Sequence, residues 1–494
     1  MSVGGIRRAA PVLLLALVAA SCTSRGRDVN VPALLRAGGH ATTASGEALS
    51  GGPDTSVAGG NVGSGGGSGV GGVSSGGGTG VGSTQGATAA GQAAEKREAG
   101  TTATATGGTV KVGLHISANL QAAYAAFGAK NAGGDITPAL QAVVDWMNAH
   151  GGLHGRKIVP VFHASDPLNG TFDSEAQAAC SDFADDKHVF AVVSGAVLPT
   201  TVTPDCLSKK HVPIIWDYHF LVDGAMWAQW MPYLYMPFSV NAERMGFYVD
   251  QLADNGYFSA GAKVALVRYD VPEHAHLSNQ VLRPRLTAHH VNVVDEIAVS
   301  RPPSAAAAAD TVNQLSSAIL RFRSEGVDHV MFIPTGGAVP FIFMSEAQGQ
   351  GYRPRYAMNS LDIPYFVGDQ ASADQLHGAV AIGWSPGSDT HHEQDPTPAS
   401  PNRALCYSIT KTNDAYRYCD GLFFLKAAMD RATTFDATGL RQAVESMGSS
   451  FDPVFSLQDT FAPNRHDGAS AVRLVSYDDA CSCFKYTGPL TPIG

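Results

Sequence analysis

The chain has 494 residues and a formal net charge of −10, with 33 Lys and Arg against 43 Asp and Glu. That balance, with no basic cluster after the N-terminal leader, argues against a nucleic-acid partner, whose phosphates attract Lys and Arg. Beyond the leader no segment stays apolar for the roughly 20 residues that a bilayer crossing needs.

At the N-terminus, Arg7 and Arg8 precede an apolar run from Ala9 to Ala20, followed by Ser21 and Cys22. A basic start, a short apolar core and small closing residues form a secretory signal. From about Thr23 to Gly108 large apolar residues are few, and Gly51 to Gly82 is mostly Gly, Ser, Thr and Val. Such a stretch buries too little surface to offset its chain entropy, so it reads as a flexible tether. Roughly 85 residues of this composition have an r.m.s. span on the order of 50 Å.

Order is predicted to begin near Thr109. Val110 to Ile116 reads as a strand, Ile136 to His150 as a helix stopped by Gly151-Gly152, and Lys157 to Phe162 as a second strand. A helix over Glu175–Phe183, a buried strand over Phe190–Val193, a short helix ending near Cys206 and a buried strand over Val212–Trp216 follow. The alternation then repeats. Helices are predicted at Ala242–Asn255, Leu277–His289, Val312–Glu325 and Phe341–Gln348, with strands at Lys263–Arg268, Val291–Ile297, His329–Ile333 and Arg355–Met358. Cys419 to Met447 returns to helix, and Ala471 to Tyr477 ends the series on a strand. Short strands alternating with helices make parallel βαβ units, and two such series predict an α/β protein of two lobes. The ordered part, about 385 residues, exceeds what a single core serves.

Small residues before a cysteine, here Ala19-Ala20-Ser21-Cys22, resemble the lipobox of bacterial lipoproteins, although Ala19 stands where that motif usually has Leu. The resemblance implies a signal peptide over residues 1–21, lipid on Cys22 and an extracytoplasmic, membrane-anchored protein; the alternative is an ordinary signal peptide. Six cysteines remain: Cys180, Cys206, Cys406, Cys419, Cys481 and Cys483. An even number in an exported chain reads as disulfides. Local pairing would join Cys180 to Cys206, Cys406 to Cys419 and Cys481 to Cys483, but spacing does not fix connectivity. No paired zinc knuckles are present, and neither a metal nor a cofactor is expected.

Several blocks carry a family likeness. They are Val110 to Leu114, then Asn148-Ala149-His150-Gly151-Gly152-Leu153-His154-Gly155-Arg156-Lys157, Val192-Val193-Ser194-Gly195, Val212-Pro213-Ile214-Ile215, Lys263 to Val267 and Cys419-Asp420-Gly421. Together they resemble type I periplasmic binding proteins of the branched-chain amino acid (Leu/Ile/Val) class, substrate-binding partners of ABC transporters. The resemblance implies two Rossmann-like lobes with parallel central sheets joined by three crossing segments. With the tether at 22–108 read from composition, it places the first lobe at 109–237 and 359–454, and the second at 238–358 and 455–494. It also favours the Cys180–Cys206 pair, since related proteins tie a helix of the first lobe to the loop that follows.

In open parallel sheets ligands bind beyond the carboxyl ends of the strands. The family likeness sets two such edges face to face. In the first lobe this singles out Ser194, Gly195, Ala196, Leu198 and Thr200, then Asp217, Tyr218 and His219; in the second, Tyr269 and Asp270. The small-residue loop at Ser194-Gly195-Ala196 suits a carboxylate through its N–H groups. Tyr218 and Tyr269 are candidate aromatic walls, and Asp217 and Asp270 candidates for an ammonium. The sequence departs from the family's amino-acid code: Val197-Leu198-Pro199 occupies a region usually rich in hydroxyls, and Trp216-Asp217-Tyr218-His219 replaces a Ser/Thr/Ala-rich loop. A larger or less polar ligand than leucine is therefore an equal expectation.

The histidine pairs His274–His276 and His391–His392 lack a third ligand nearby in sequence, and no nucleophile–base motif stands out. The expectation is thus a binding protein rather than an enzyme. It would be a monomeric, lipid-anchored clamp that captures a small molecule for an ABC permease. The alternative is a sensor that hands its state to a signalling partner.

Overall fold

The computed structural model describes residues 107–126, 129, 133–216 and 219–494. The leader, Cys22, nearly all of the expected tether, Asp217 and Tyr218 lie outside the described residues.

The first sheet has five parallel strands in the order β2-β1-β3-β4-β5. These are β1 (Thr109–Ser117), β2 (Lys157–Ser165), β3 (Ala191–Ser194), β4 (Ile214–Trp216) and β5 (Leu234–Tyr235). β1 alternates exposed and buried residues only at its start and is buried from Val112 to Ile116, as suits a strand paired on both sides and covered on both faces. Gly113 is required at its centre: a Cβ there would sit 2.8 Å from the Phe183 ring.

The second sheet repeats this core as β7-β6-β8-β9-β10, built from β6 (Lys263–Tyr269), β7 (Asn292–Val299), β8 (His329–Phe332), β9 (Arg355–Asn359) and β10 (Val380–Gly383). It is then extended by antiparallel β11 (Ala471–Asp478) and β12 (Cys483–Tyr486), with β13 (Thr491–Pro492) also on β11. The architecture is therefore the expected α/β pair of lobes. In each sheet the strand order reverses beside the first strand, between β1 and β3 and between β6 and β8, and there the carboxyl edges open a crevice.

Two sequence expectations shift. The return to the first lobe does not come at residue 359, because β10 pairs parallel to β9 and keeps residues 380–383 in the second sheet. Helices of the first lobe resume only at Pro401–Thr410, Tyr416–Met429 and Ala437–Glu445. Their attachment is direct: His154 Nδ1 lies 2.8 Å from Met429 O, and Lys426 Nζ donates to Gly152 O at 2.9 Å. The single helix expected over 419–447 is two, the second capped by Asp436, which accepts from Gly439 N at 2.7 Å.

Three segments cross between lobes and are bonded to each other. Met236 N donates to His466 O at 3.0 Å and Gly468 N to Met236 O at 3.1 Å. Leu457 N donates to Trp384 O at 2.7 Å, and the Trp384 indole N–H to Phe238 O at 2.9 Å. Ser385 Oγ donates to Phe455 O at 2.6 Å. Disulfides join Cys180 to Cys206, Cys406 to Cys419 and Cys481 to Cys483. No described helix is long and apolar enough to cross a membrane.

Candidate functional site

The carboxyl ends of both sheets meet across a cavity of about 120 Å³. On the first-lobe side β3 ends at Ser194, and the chain turns through 195–201. Val197 and Pro199 line the cavity, whereas Leu198 turns back to pack with buried Phe172 and Ala176. Beyond β4, His219, Phe220 and Leu221 form the next wall, and the short helix Leu120–Ala126 adds Leu120, Ala123 and Tyr124. On the second-lobe side β6 delivers Tyr269 and, one turn on, His274. The segment after β7 brings Arg301, Pro302 and Ala305, and the turn after β8 brings Pro334, Thr335 and Gly336, followed by Val339 and Ile342 of the helix Ala338–Gly349.

The lobes touch around this space. Phe172 N donates to Pro303 O at 2.9 Å, a backbone bond from one lobe to the other. The Tyr124 and Phe366 rings lie 5.2 Å apart, and the Arg301 guanidinium sits 5.2 Å from the Phe220 ring centre. The arrangement is a closed clamp, in which a molecule in the cavity touches both lobes at once.

Among the described residues few polar groups reach the cavity, and most already have partners. Arg301 Nη1 pairs with Glu273 Oε1 at 2.9 Å, and that glutamate is 1% exposed. Burial, then the nearby Arg301 and Arg268 charges, hold the His274 imidazole down at about 3, so it is neutral at pH 7. Tyr269 N approaches His274 Nδ1 at 3.4 Å, which leaves the ring proton on Nε2. His219 is likewise held well below its usual range by burial and then Arg417, and its Nε2 lies 2.5 Å from Ser388 Oγ. Thr335 donates its N–H at 2.8 Å and its hydroxyl at 3.3 Å to Asp362 Oδ1. Burial raises Asp362 to about 7 against its hydrogen bonds.

A second space of about 350 Å³ lies on the other side of Leu120, Tyr124, Val197 and Phe366, which border both. It is more polar. Ser117, Gly195 and Arg417 face Tyr365, Asp369 and His391 there, and His391 Nε2 is 2.8 Å from Asp369 Oδ1.

Of the ten residues singled out from sequence, His219 and Tyr269 line the closed cavity. Gly195 borders the second space instead. Ser194 is not open to a ligand: its hydroxyl is 3.0 Å from His115 Nδ1, in a buried chain that runs on from His115 Nε2 to Ser165 at 2.8 Å. Ala196 and Leu198 are buried in the lobe, and Thr200 donates to Asp173. Asp270 does not serve an ammonium site; its side chain is 75% exposed, 3.9 Å from Arg268, and borders neither cavity. Asp217 and Tyr218 are outside the described residues. Arg301 and Glu273 went unread. The signal was present, since Arg301-Pro302-Pro303 follows β7 after Ser300 at the same carboxyl edge, but the family likeness directs attention to the loops after β6 and β8.

Among the described residues no three His, Cys, Asp or Glu side chains converge to hold a metal. His276 instead approaches Glu243 at 3.1 Å.

A family model described as periplasmic binding protein matches residues 127–482. No curated protein matches the chain. Similar solved structures include the branched-chain amino acid transporter substrate-binding protein LivJ from Streptococcus pneumoniae in complex with isoleucine. It is 17% identical with a TM-score of 0.55, covering 77% of this chain and 100% of that one. A solute-binding protein of an ABC transporter from Rhodopseudomonas palustris, in complex with 3,4-dihydroxybenzoic acid, is 14% identical with a TM-score of 0.57, covering 78% and 98%. An ABC transporter substrate-binding protein from Desulfitobacterium hafniense in complex with Leu is 13% identical with a TM-score of 0.54, covering 77% and 100%.

Proposed function

Because the chain belongs to the periplasmic binding protein family, we propose that it captures a small molecule between its lobes and releases it unaltered to an ABC importer. The observation that carries this reading is the cavity of about 120 Å³ lying between two carboxyl sheet edges, with the Phe172–Pro303 backbone bond from one lobe to the other beside it. A solute that contacts both edges favours the closed arrangement by its differential affinity. The three crossing segments, bonded to each other, are where rotation between lobes is absorbed.

The solved neighbours that hold isoleucine, leucine or 3,4-dihydroxybenzoic acid support a small organic solute as the class of cargo. Lipid on Cys22 and a long tether are the proposed means of keeping the clamp near the membrane and its permease. No covalent step is assigned to any residue.

The test is thermal unfolding of the purified protein against amino acids, aromatic acids, amides and alcohols. A true cargo must stabilise by mass action, about 2.7 kcal/mol at one hundred times its Kd. The reading fails if the protein is saturated by a solute whose affinity is unchanged when Val197 or Ile342, which face each other's lobes across the cavity, is replaced by Asp.

A further inference from the structure

We infer that the inter-lobe cavity accepts an uncharged, ring-sized, largely apolar molecule carrying one hydrogen-bonding group, and that it rejects free amino acids. The inference deepens the capture reading and rests on it.

Charge decides the matter. A zwitterion brings an anion and a cation, and each buried ion requires a partner of opposite sign or several hydrogen bonds. Arg301 is the one formally charged residue on the cavity lining among the described residues, and Glu273 already neutralises it at 2.9 Å. Among the described residues no carboxylate lines the cavity to receive an ammonium. The Thr335 N–H and hydroxyl, placed where an anion would seek donors, both face Asp362 behind the loop. His219 and His274 are neutral at pH 7, so neither supplies a positive charge. Arg417 lines not this cavity but the other space, beyond Tyr124.

What remains suits a neutral guest. The described wall is largely aliphatic and aromatic from both lobes, and His274, whose Nδ1 accepts from Tyr269 N, has Nε2–H as a donor there. A carbonyl or hydroxyl oxygen is the group such a donor selects. The volume, about 120 Å³, is that of a small ring: an apolar cavity of roughly 150 Å³ takes up benzene.

The experiment compares isosteric probes on the full purified chain at pH 7 by calorimetry, with thermal unfolding as a parallel readout. 4-Methylbenzamide and p-cresol are expected to bind at least tenfold more tightly than 4-methylbenzoate, and L-leucine to give no heat. Ala305→Leu, which adds bulk to the wall, is expected to weaken the neutral probes at least tenfold. Ala308→Leu, a second wall position, gives the same readout if Ala305→Leu does not fold. Binding of 4-methylbenzoate or L-leucine as tight as that of the amide overturns the inference while the capture reading stands. Stabilisation by other solutes with none by the neutral rings overturns it as well.

Discussion

The two lobes share a strand order but not a division of labour. In the first lobe, the hydroxyls at the sheet edge face inward: Ser194 and Ser165 hold His115 between them, and Thr200 donates to Asp173. Among the described residues, that lobe offers the cavity carbon from Leu120, Val197, Pro199 and Phe220 beside His219 and Tyr124. The second lobe supplies Tyr269, His274, Arg301 and Thr335. The same scaffold can thus move its polar recognition from one sheet edge to the other. A loop whose side chains are engaged with its own scaffold is unavailable to a guest, whatever its position in the family's plan.

The largest effect expected from breaking this asymmetry is in the second lobe. Arg301→Ala leaves the Glu273 carboxylate buried without its partner and is expected to cost about 3–5 kcal/mol in chemical denaturation; adding Glu273→Gln should recover most of that loss. The first lobe answers with one of its two disulfides. Replacing Cys180 and Cys206, 26 residues apart, by Ser is expected to cost about 3 kcal/mol, while replacing Cys481 and Cys483, two apart, changes stability far less.

The pH dependence follows from burial. His274 titrates at about 3 when folded against 6.5 unfolded, so between those values the unfolded chain binds a proton that the native chain refuses. Its contribution is fully present above pH 6.5 and is lost as pH falls towards 3. His274→Gln should flatten the decline in unfolding free energy between pH 6 and 4 by up to about 1.4 kcal/mol per pH unit. Asp362, Asp389 and Asp420, each raised to about 7, act in the opposite sense: their contribution is present below 3.8 and lost as pH rises through 7. Asp362→Asn should therefore steepen the net acid-side decline.

Smaller still, Ser194→Ala leaves one His115 nitrogen without its partner and should cost about 1–2 kcal/mol, with solute affinity changed less than twofold. Asp270→Ala should alter neither stability by more than about 0.5 kcal/mol nor affinity.

The fold was legible because its signals are local. Buried β-branched runs such as Val110 to Ile116 and Val264 to Val267, separated by amphipathic helices, specify parallel βαβ units. β10 escaped because Val380-Ala381-Ile382-Gly383 is short and Ala/Gly-diluted, and its place in the second sheet is set by pairing with β9 and β11 rather than by its own pattern. The site was legible only as a location. Which residues point into the cavity depends on single turns. Val197 and Pro199 face it and Leu198 does not, though all three share a loop. Whether a polar group is free depends on partners remote in sequence: Ser194 meets His115, 79 residues away, and Arg301 meets Glu273, 28 away. Neither pairing is written in local spacing.

The central claim is that the lobes move together when a solute occupies the gap. Spin labels at exposed Leu168 in the first lobe and Leu320 in the second report it directly through their distance distribution. With solute removed by partial denaturation and dialysis, a long, broad distribution is expected, and with solute restored a short, narrow one. A distribution identical in the two states would contradict it.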